Sequence, residues 1–224
     1  TLAKEFAVFD GYFSSVPGPT EVNRMYIHSC TSHGAGFNDK VKLAEGYPQT
    51  TVYDRLDDAN KTWKIFFEDF PTGLFLRNTR LPHNLKNFRP MFDFFERSRR
   101  GSLPHYSFLD PRYFWSKGYV VERLATDQHP SHEMAEGDRL IKEVYESLRA
   151  SPTWNSTMFM VTYDEHGGFY DHVSPPTAPN PDNLNSTDPP FDFRRLGVRI
   201  PVVVASPWIP KGTIVHTPPV GYYD

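Results

Sequence analysis

The run FMVTYDEHGGFYDHV, residues 159–173, constrains this chain more than any other stretch. An apolar segment opens it, and Asp164, Glu165 and Asp171 follow, beside His166 and His172, with Gly167 and Gly168 between them. Every side chain from Met158 to Val161 is apolar, the pattern of a strand covered on both faces. In parallel sheets functional groups collect just beyond the carboxyl ends of strands, and a glycine pair lets the backbone turn there. Two neighbouring carboxylates at such a position repel one another. A bound cation would keep both ionised; a turn that faces water needs none.

The rest of the chain alternates between helical and strand patterns. Leu2, Phe6 and Phe9 at helical spacing predict a helix over 2–9, broken by VPGPT. TTVYDRL (50–56) predicts a short helix, TWKIFFE (62–68) a strand, 89–100 a helix capped by Gly101, and YSFLD (106–110) a second strand. The strongest helix is 131–149, with Ser131 as its cap, Glu133 at its positive end, and Gly137, Ile141, Val144 and Leu148 along one face. RIPVVVA (199–205) is a further strand. Helices alternating with apolar strands predict an α/β fold, a mostly parallel sheet sandwiched by helices, within one domain. Residues 174–194 carry six prolines and read as an ordered excursion. Its Phe191 and Phe193 have two readings, as a lipid-dipping pair or as anchors packed on the domain.

Charge and cysteine content narrow the function. A net charge of −3 and a pI near 6.3 lack the basic field that nucleic acid needs. The single cysteine, Cys30, excludes a disulfide framework and a cysteine-built metal site; it reads as a small buried residue. No run of about 18 apolar residues marks a transmembrane segment. Sequons at Asn60, Asn155 and Asn185 lean toward a secreted or membrane-associated protein and leave the compartment open. SHEMAEG (131–137) begins like a zinc-protease helix, but Glu136 stands four residues after His132 where a second histidine would be needed.

Four stretches together resemble the phosphoesterase family of bacterial phospholipases C, acid phosphatases and plant non-specific phospholipases C. DEHGGFYDHV (164–173) is similar to its signature and VPGPTEVNR (16–24) to its Thr-x-Pro-Asn-Arg motif. TDQHPSHEMAEGDRLIKEVYESLRASPTW (126–154) resembles its histidine stretch and GVRIPVVVASPW (197–208) its Gly-x-Arg-Val-Pro motif. The order agrees, and the likeness is closest to the plant enzymes. Val22 replaces the first motif's proline and Ile200 the second's valine, and the former loosens a backbone constraint near Thr20.

The resemblance implies an alkaline-phosphatase-like α/β/α sandwich and a divalent metal ion held by Asp164 and Glu165. It implies a phospholipid substrate cleaved to diacylglycerol through a phosphothreonine, with peripheral membrane contact. Thr20 stands at the nucleophile position, at the start of a helix where backbone N–H groups favour phosphate; it also suits a helix cap. His129 matches a histidine that stabilises the transferring phosphoryl group or protonates the leaving oxygen, with His132 as a weaker second. Asn23 and Arg24 fall in the substrate-binding motif, Arg24 either holding phosphate or bracing its loop. His166, Asp171 and His172 belong to the signature, as direct contacts or as clamps on the metal ligands. An acid phosphatase on soluble phosphomonoesters and a non-catalytic lipid- or anion-binding fragment are the rival readings. The family's Glu-Asn-Arg-Ser-Phe-Asp-His stretch has no counterpart before Thr20. The expectation is therefore the central part of a longer enzyme, incomplete at both ends and lacking a first strand and two metal ligands.

Overall fold

The computed structural model describes residues 1–114, 116–117 and 122–216. Its helices are α1 (Leu2–Glu5), α2 (Thr20–Ser29), α3 (Lys40–Glu45), α4 (Val52–Asp58), α5 (Met91–Arg100) and α6 (Met134–Arg149). Its strands are β1 (Ala7–Phe9), β2 (Trp63–Phe67), β3 (Phe88–Pro90), β4 (Tyr106–Asp110), β5 (Ser116–Lys117), β6 (Glu122–Arg123), β7 (Phe159–Thr162), β8 (Ser186–Thr187), β9 (Pro190–Phe191), β10 (Val202–Ala205) and β11 (Ile214–Val215). Beside the single domain expected from the sequence, the contacts divide the chain into two compact units. One joins Thr1–Thr51 to Met158–Asp224; the other is Val52–Thr157.

The first unit is built on a four-stranded sheet in the order β11-β1-β10-β7. β10 runs antiparallel to both β1 and β7, and β1 runs parallel to β11. The helix expected over 2–9 stops at Glu5, because Val8 and Phe9 are taken into pairing with both β10 and β11. Local period yields there to tertiary hydrogen bonding. β7 is an edge strand, and the exposure of Met158 (70%) and Met160 (40%) corrects the expectation of cover on both faces. Cys30 is exposed rather than buried, since it caps α2 in the left-handed region at φ 59°, where the chain turns out of the helix.

The proline-rich excursion is ordered by its own ladder. Ala178 donates to Arg194 at 3.0 Å and Leu196 to Pro176 at 3.1 Å, while β8 and β9 form a hairpin at its tip. Phe193 is buried and lies edge-on to Phe191 with ring centroids 4.9 Å apart. Phe193 therefore anchors the loop, as the packing reading of the pair expects.

The second unit carries a three-stranded sheet, β3-β2-β4, parallel throughout as the apolar strand pattern predicts. Tyr53, Trp63 and Ile65 form its buried cluster, and Phe66 packs on Phe94 of α5. α5 ends as expected at Gly101, whose φ of 66° is open to glycine at little cost. α6 begins later than expected. Its N-cap is Glu133, because Ser131 sits at φ 80°, outside the extended conformation that a capping residue needs.

Candidate active site

Within the first unit, segments far apart in sequence meet at one end of the sheet. Phe9, Val202 and Thr162 lie side by side, so the carboxyl ends of β1 and β7 share that end with the amino end of β10. Asp164 and Glu165 follow β7, Asp10 follows β1, and Arg199 precedes β10. Arg24 of α2 donates from Nε to Asp164 Oδ2 at 2.8 Å, with both side chains mostly buried. Arg199 grips Asp171 with paired donors, Nε to Oδ2 at 2.6 Å and Nη2 to Oδ1 at 2.8 Å, and its Nη1 reaches the Asp10 carbonyl at 2.8 Å. That fork holds the Asp171 carboxyl well below the usual carboxylate range and raises the Arg199 guanidinium.

Thr20 is the first residue of α2, four before Arg24, and so shares its helix face at the positive end of the dipole. The loop leading to it is held by Asn23, whose Oδ1 accepts from Val16 N at 3.0 Å and whose Nδ2 donates to Gly18 O at 2.9 Å and Val16 O at 3.2 Å. Ser14 pairs with the 197–198 backbone, donating to Val198 O at 3.0 Å and accepting from Gly197 N at 2.8 Å. The approach is so close that a Cβ on Gly197 would lie 2.5 Å from the Val16 carbonyl oxygen. Val22, in place of the motif's proline, is fully buried within the first turns of α2, which begins at Thr20 all the same.

The signature turn depends on Gly167 and Gly168, at φ 65° and 81°. Asp164 Oδ1 accepts from Glu165 N at 2.9 Å, Glu165 Oε2 accepts from Gly167 N at 2.7 Å, and His166 Nδ1 lies 3.4 Å from that same Oε2. His172 projects into solvent, 80% exposed, 3.4 Å from Asp171 Oδ1. Further along α2, burial drives His28 down to about 3, with the charge of Arg24 adding to the effect.

These residues do not fit a divalent ion. Among the described residues no three of His, Cys, Asp or Glu converge as a cation would require. The two adjacent carboxylates are instead committed to Arg24 and to backbone N–H groups.

The second unit holds the two candidate histidines in the loop before α6. His132 Nδ1 lies 2.7 Å from Asp127 Oδ1, and His129 Nδ1 lies 3.0 Å from the carbonyl of its own neighbour Pro130. The two imidazole centroids are 5.7 Å apart.

A model of the phosphoesterase family matches residues 1–224. The chain belongs to the phosphoesterase family. Non-specific phospholipase C6 of Arabidopsis thaliana is 49% identical over 218 residues, covering 96% of this chain and 41% of the relative. Non-specific phospholipase C3 of the same plant is 46% identical over 221 residues, covering 97% and 42%. A non-hemolytic phospholipase C of Burkholderia pseudomallei (strain K96243) is 26% identical over 260 residues, covering 95% and 36%. The chain spans about two fifths of the length of the curated relatives it matches. Among solved structures, a protein of the alkaline phosphatase superfamily from Vibrio parahaemolyticus has a TM-score of 0.51 at 14% identity, covering 96% of this chain and 55% of that one. A structure of Ps i-CgsB in complex with k-i-k-neocarrahexaose has a TM-score of 0.53 at 14% identity, covering 97% and 62%. These likenesses establish the alkaline-phosphatase-like α/β fold.

In this phosphoesterase chain the sequence candidates separate by role. Asn23, expected to bind substrate, is buried, and its amide is bonded to the backbone of the loop before Thr20. Arg24 ties the motif helix to the signature. Arg199, quoted in a motif but given no role, proves to be the partner of Asp171. Asp127 was missed in the same way. The legible signal for both was an unpaired opposite charge within a recognised motif, but which carboxylate meets which cation needed the fold.

Proposed function

We propose that this chain is the phosphate-ester-handling part of a hydrolase of the phospholipase C kind, releasing diacylglycerol and a phosphorylated head group. The observation that carries the reading is the convergence of three family motifs at one sheet end, through Arg24 on Asp164 and Arg199 on Asp171. Thr20 Oγ is the nucleophile: it gives up its proton and bonds to phosphorus while the bond to the glycerol oxygen breaks and that oxygen takes up a proton; water then attacks phosphorus, releases the phosphorylated head group and returns a proton to Thr20 Oγ. The positive end of α2 and the cation of Arg24 favour the anionic phosphate at that position. The described residues supply too few ligands for a catalytic cation, so a divalent ion belongs to this reading only where further ligands complete its site. Phe169 and Tyr170, 70% and 91% exposed, give the signature turn an aromatic lip suited to a lipid–water interface.

The test uses the full-length protein. Thr20→Val should abolish diacylglycerol release from phosphatidylcholine with the fold intact, and Thr20→Ser should retain part of it. Mass spectrometry of a quenched reaction should find the phosphoryl group on Thr20. A Val variant that turns over normally removes the assignment, hydrolysis of a soluble aryl phosphate alone favours the acid-phosphatase reading, and lipid binding without turnover favours the non-catalytic one.

A further inference from the structure

Residues 77–100 hold seven lysines and arginines against two acids, a surplus of five positive charges within a chain whose net charge is −3. The fold of the second unit gathers three of these cations about Lys64 of β2. Phe66 packs on Phe94 of α5, and side chains two apart on a strand share a face, so Lys64 points to the α5 side of the sheet. Arg89 of the edge strand β3 stands in register with Phe66 and points the same way. Lys64 Nζ donates to the carbonyl of Lys86 at 3.4 Å, in the turn 85–87 that leads into β3. Arg89 and Arg97 both donate from Nε to Asp93 Oδ2 of α5, at 3.0 and 2.9 Å. These five side chains thus carry four positive charges and one negative. Burial lowers the Lys64 ammonium, and the charges of Arg97 and Arg89 lower it further. Later on α5, Arg99 and Arg100 share Glu96 at 2.9 and 3.0 Å, so the helix again presents two cations to one carboxylate.

Apolar side chains stand among these charges. Phe92, next to Asp93, is 68% exposed, and Leu85, next to Lys86, is 50% exposed. Their contact with water is unfavourable in proportion to its area. An interface with anionic head groups above hydrocarbon suits both features at once, because the cations meet the head groups while Phe92 and Leu85 enter the boundary beneath them. A nucleic acid would meet the cations and leave Leu85 in water.

We propose that the β3–α5 face of the second unit, with Lys64, Lys86, Arg89 and Arg97 around Phe92 and Leu85, binds membranes rich in anionic phospholipid. The surface lies wholly within the second unit and uses none of the groups assigned to phosphate-ester cleavage. The inference therefore goes beyond the phospholipase reading and does not depend on it. The face attracts as a sum of charges with an apolar anchor, so binding weakens with salt and with each cation removed.

Co-sedimentation of the full-length protein with vesicles is the test, and it reads binding without turnover. Vesicles of equal parts phosphatidylcholine and phosphatidylserine should bind at least about ten-fold more tightly than phosphatidylcholine alone. Lys86→Gln with Arg89→Gln should weaken binding to the mixed vesicles about 25-fold, about five-fold per cation, while Arg97 keeps its bond to Asp93. Phe92→Ser should weaken it several-fold with the urea midpoint unchanged, since the ring is exposed. Lys42→Gln with Lys211→Gln removes the same charge from the first unit and should leave binding unchanged. Equal affinity for the two vesicles, an unaltered Lys86→Gln/Arg89→Gln variant, or an equal loss in the first-unit control overturns the proposal. So does binding to single-stranded RNA, unaffected by Phe92→Ser, in a protein that leaves the mixed vesicles in solution. Failure of vesicle binding with turnover intact leaves the phosphoesterase reading standing, and vesicle binding by a protein without turnover leaves this one standing.

Discussion

The second unit fully buries Trp63, Tyr53, Phe66 and Phe94, whereas the largest fully buried side chains described in the first are His28, Val22, Val202 and Asn23. The rings of the second unit stack closely, with Tyr53 and Trp63 centroids 4.5 Å apart and those of Phe66 and Phe94 5.4 Å apart. Burying such rings stabilises in proportion to area and with little regard to direction. The first unit relies on directional ties between distant loops: Arg24 to Asp164, Arg199 to Asp171, Asn23 to Val16 and Ser14 to Val198. Each needs correct geometry to be worth anything. The contrast teaches where precision was needed. Charged groups brought together from distant segments are fixed by bonds, and aromatic mass is placed where shape alone suffices.

The largest effect should come from truncating the aromatic core. Trp63→Ala removes a ring 2% exposed and should cost about 3–5 kcal/mol, read as a fall in the urea midpoint. Arg199→Met should fall less far in the same assay. Were it to fall further, the directional ties would be the main support of the chain and the comparison would be reversed.

Gly197→Ala probes the close approach in the first unit. Its Cβ would meet Ser14 Oγ at 2.0 Å and the Val16 carbonyl at 2.5 Å, and a backbone oxygen cannot rotate away. A cost of about 1–3 kcal/mol is expected, with the 14–19 loop displaced. Hydrogen exchange at Val16 N, which donates to Asn23 Oδ1, should accelerate in this variant. Unchanged exchange would show that the loop is held independently of the Gly197 contact.

Acid should separate the units more gently. His28 is the one histidine among the described buried residues, and its folded pKa of about 3 lies below the unfolded value of about 6.5. Below pH 6.5 the unfolded chain therefore binds the extra proton, and stability falls toward pH 3 by up to about 1.4 kcal/mol per pH unit. Asp171, lowered by Arg199, contributes stability above the unfolded carboxylate value and loses it only at lower pH, outside the upper part of this window. Urea midpoints at pH 7.5 and 4.5 should show a drop in wild type that His28→Gln largely removes; an equal drop in both proteins would place the acid sensitivity elsewhere.

The smallest effects compare two helix ends. α2 and α5 both end in the left-handed region, one with Cys30 at φ 59° and the other with Gly101 at φ 66°. Gly101→Ala should cost about 1 kcal/mol, and Cys30→Gly should gain a comparable or smaller amount. Thermal midpoints that move in the same direction in both variants would refute the shared conformational cause.

Secondary structure was legible where one local signal dominated. β2, β4, α4 and α5 fall within a few residues of their sequence patterns because aromatic and β-branched runs, helical spacing and the Gly101 cap each point one way. Residues 7–9 were not, because strand pairing with β10 and β11 overrides a helical period. Met160 looked interior for the same kind of reason: an apolar run does not reveal whether another element packs over each face of its strand.

The sequence by itself determined the family, the α/β class and the motif residues at issue, because those depend on residue types at short spacings. Only the tertiary structure decided what each of them does. Asn23 braces a loop, Arg199 holds Asp171, Phe193 turns inward, and Asp127 lies against the imidazole of His132. Partners such as Arg24 and Asp164 lie 140 residues apart, and the energy of a hydrogen bond depends on a distance and an angle that sequence separation does not encode.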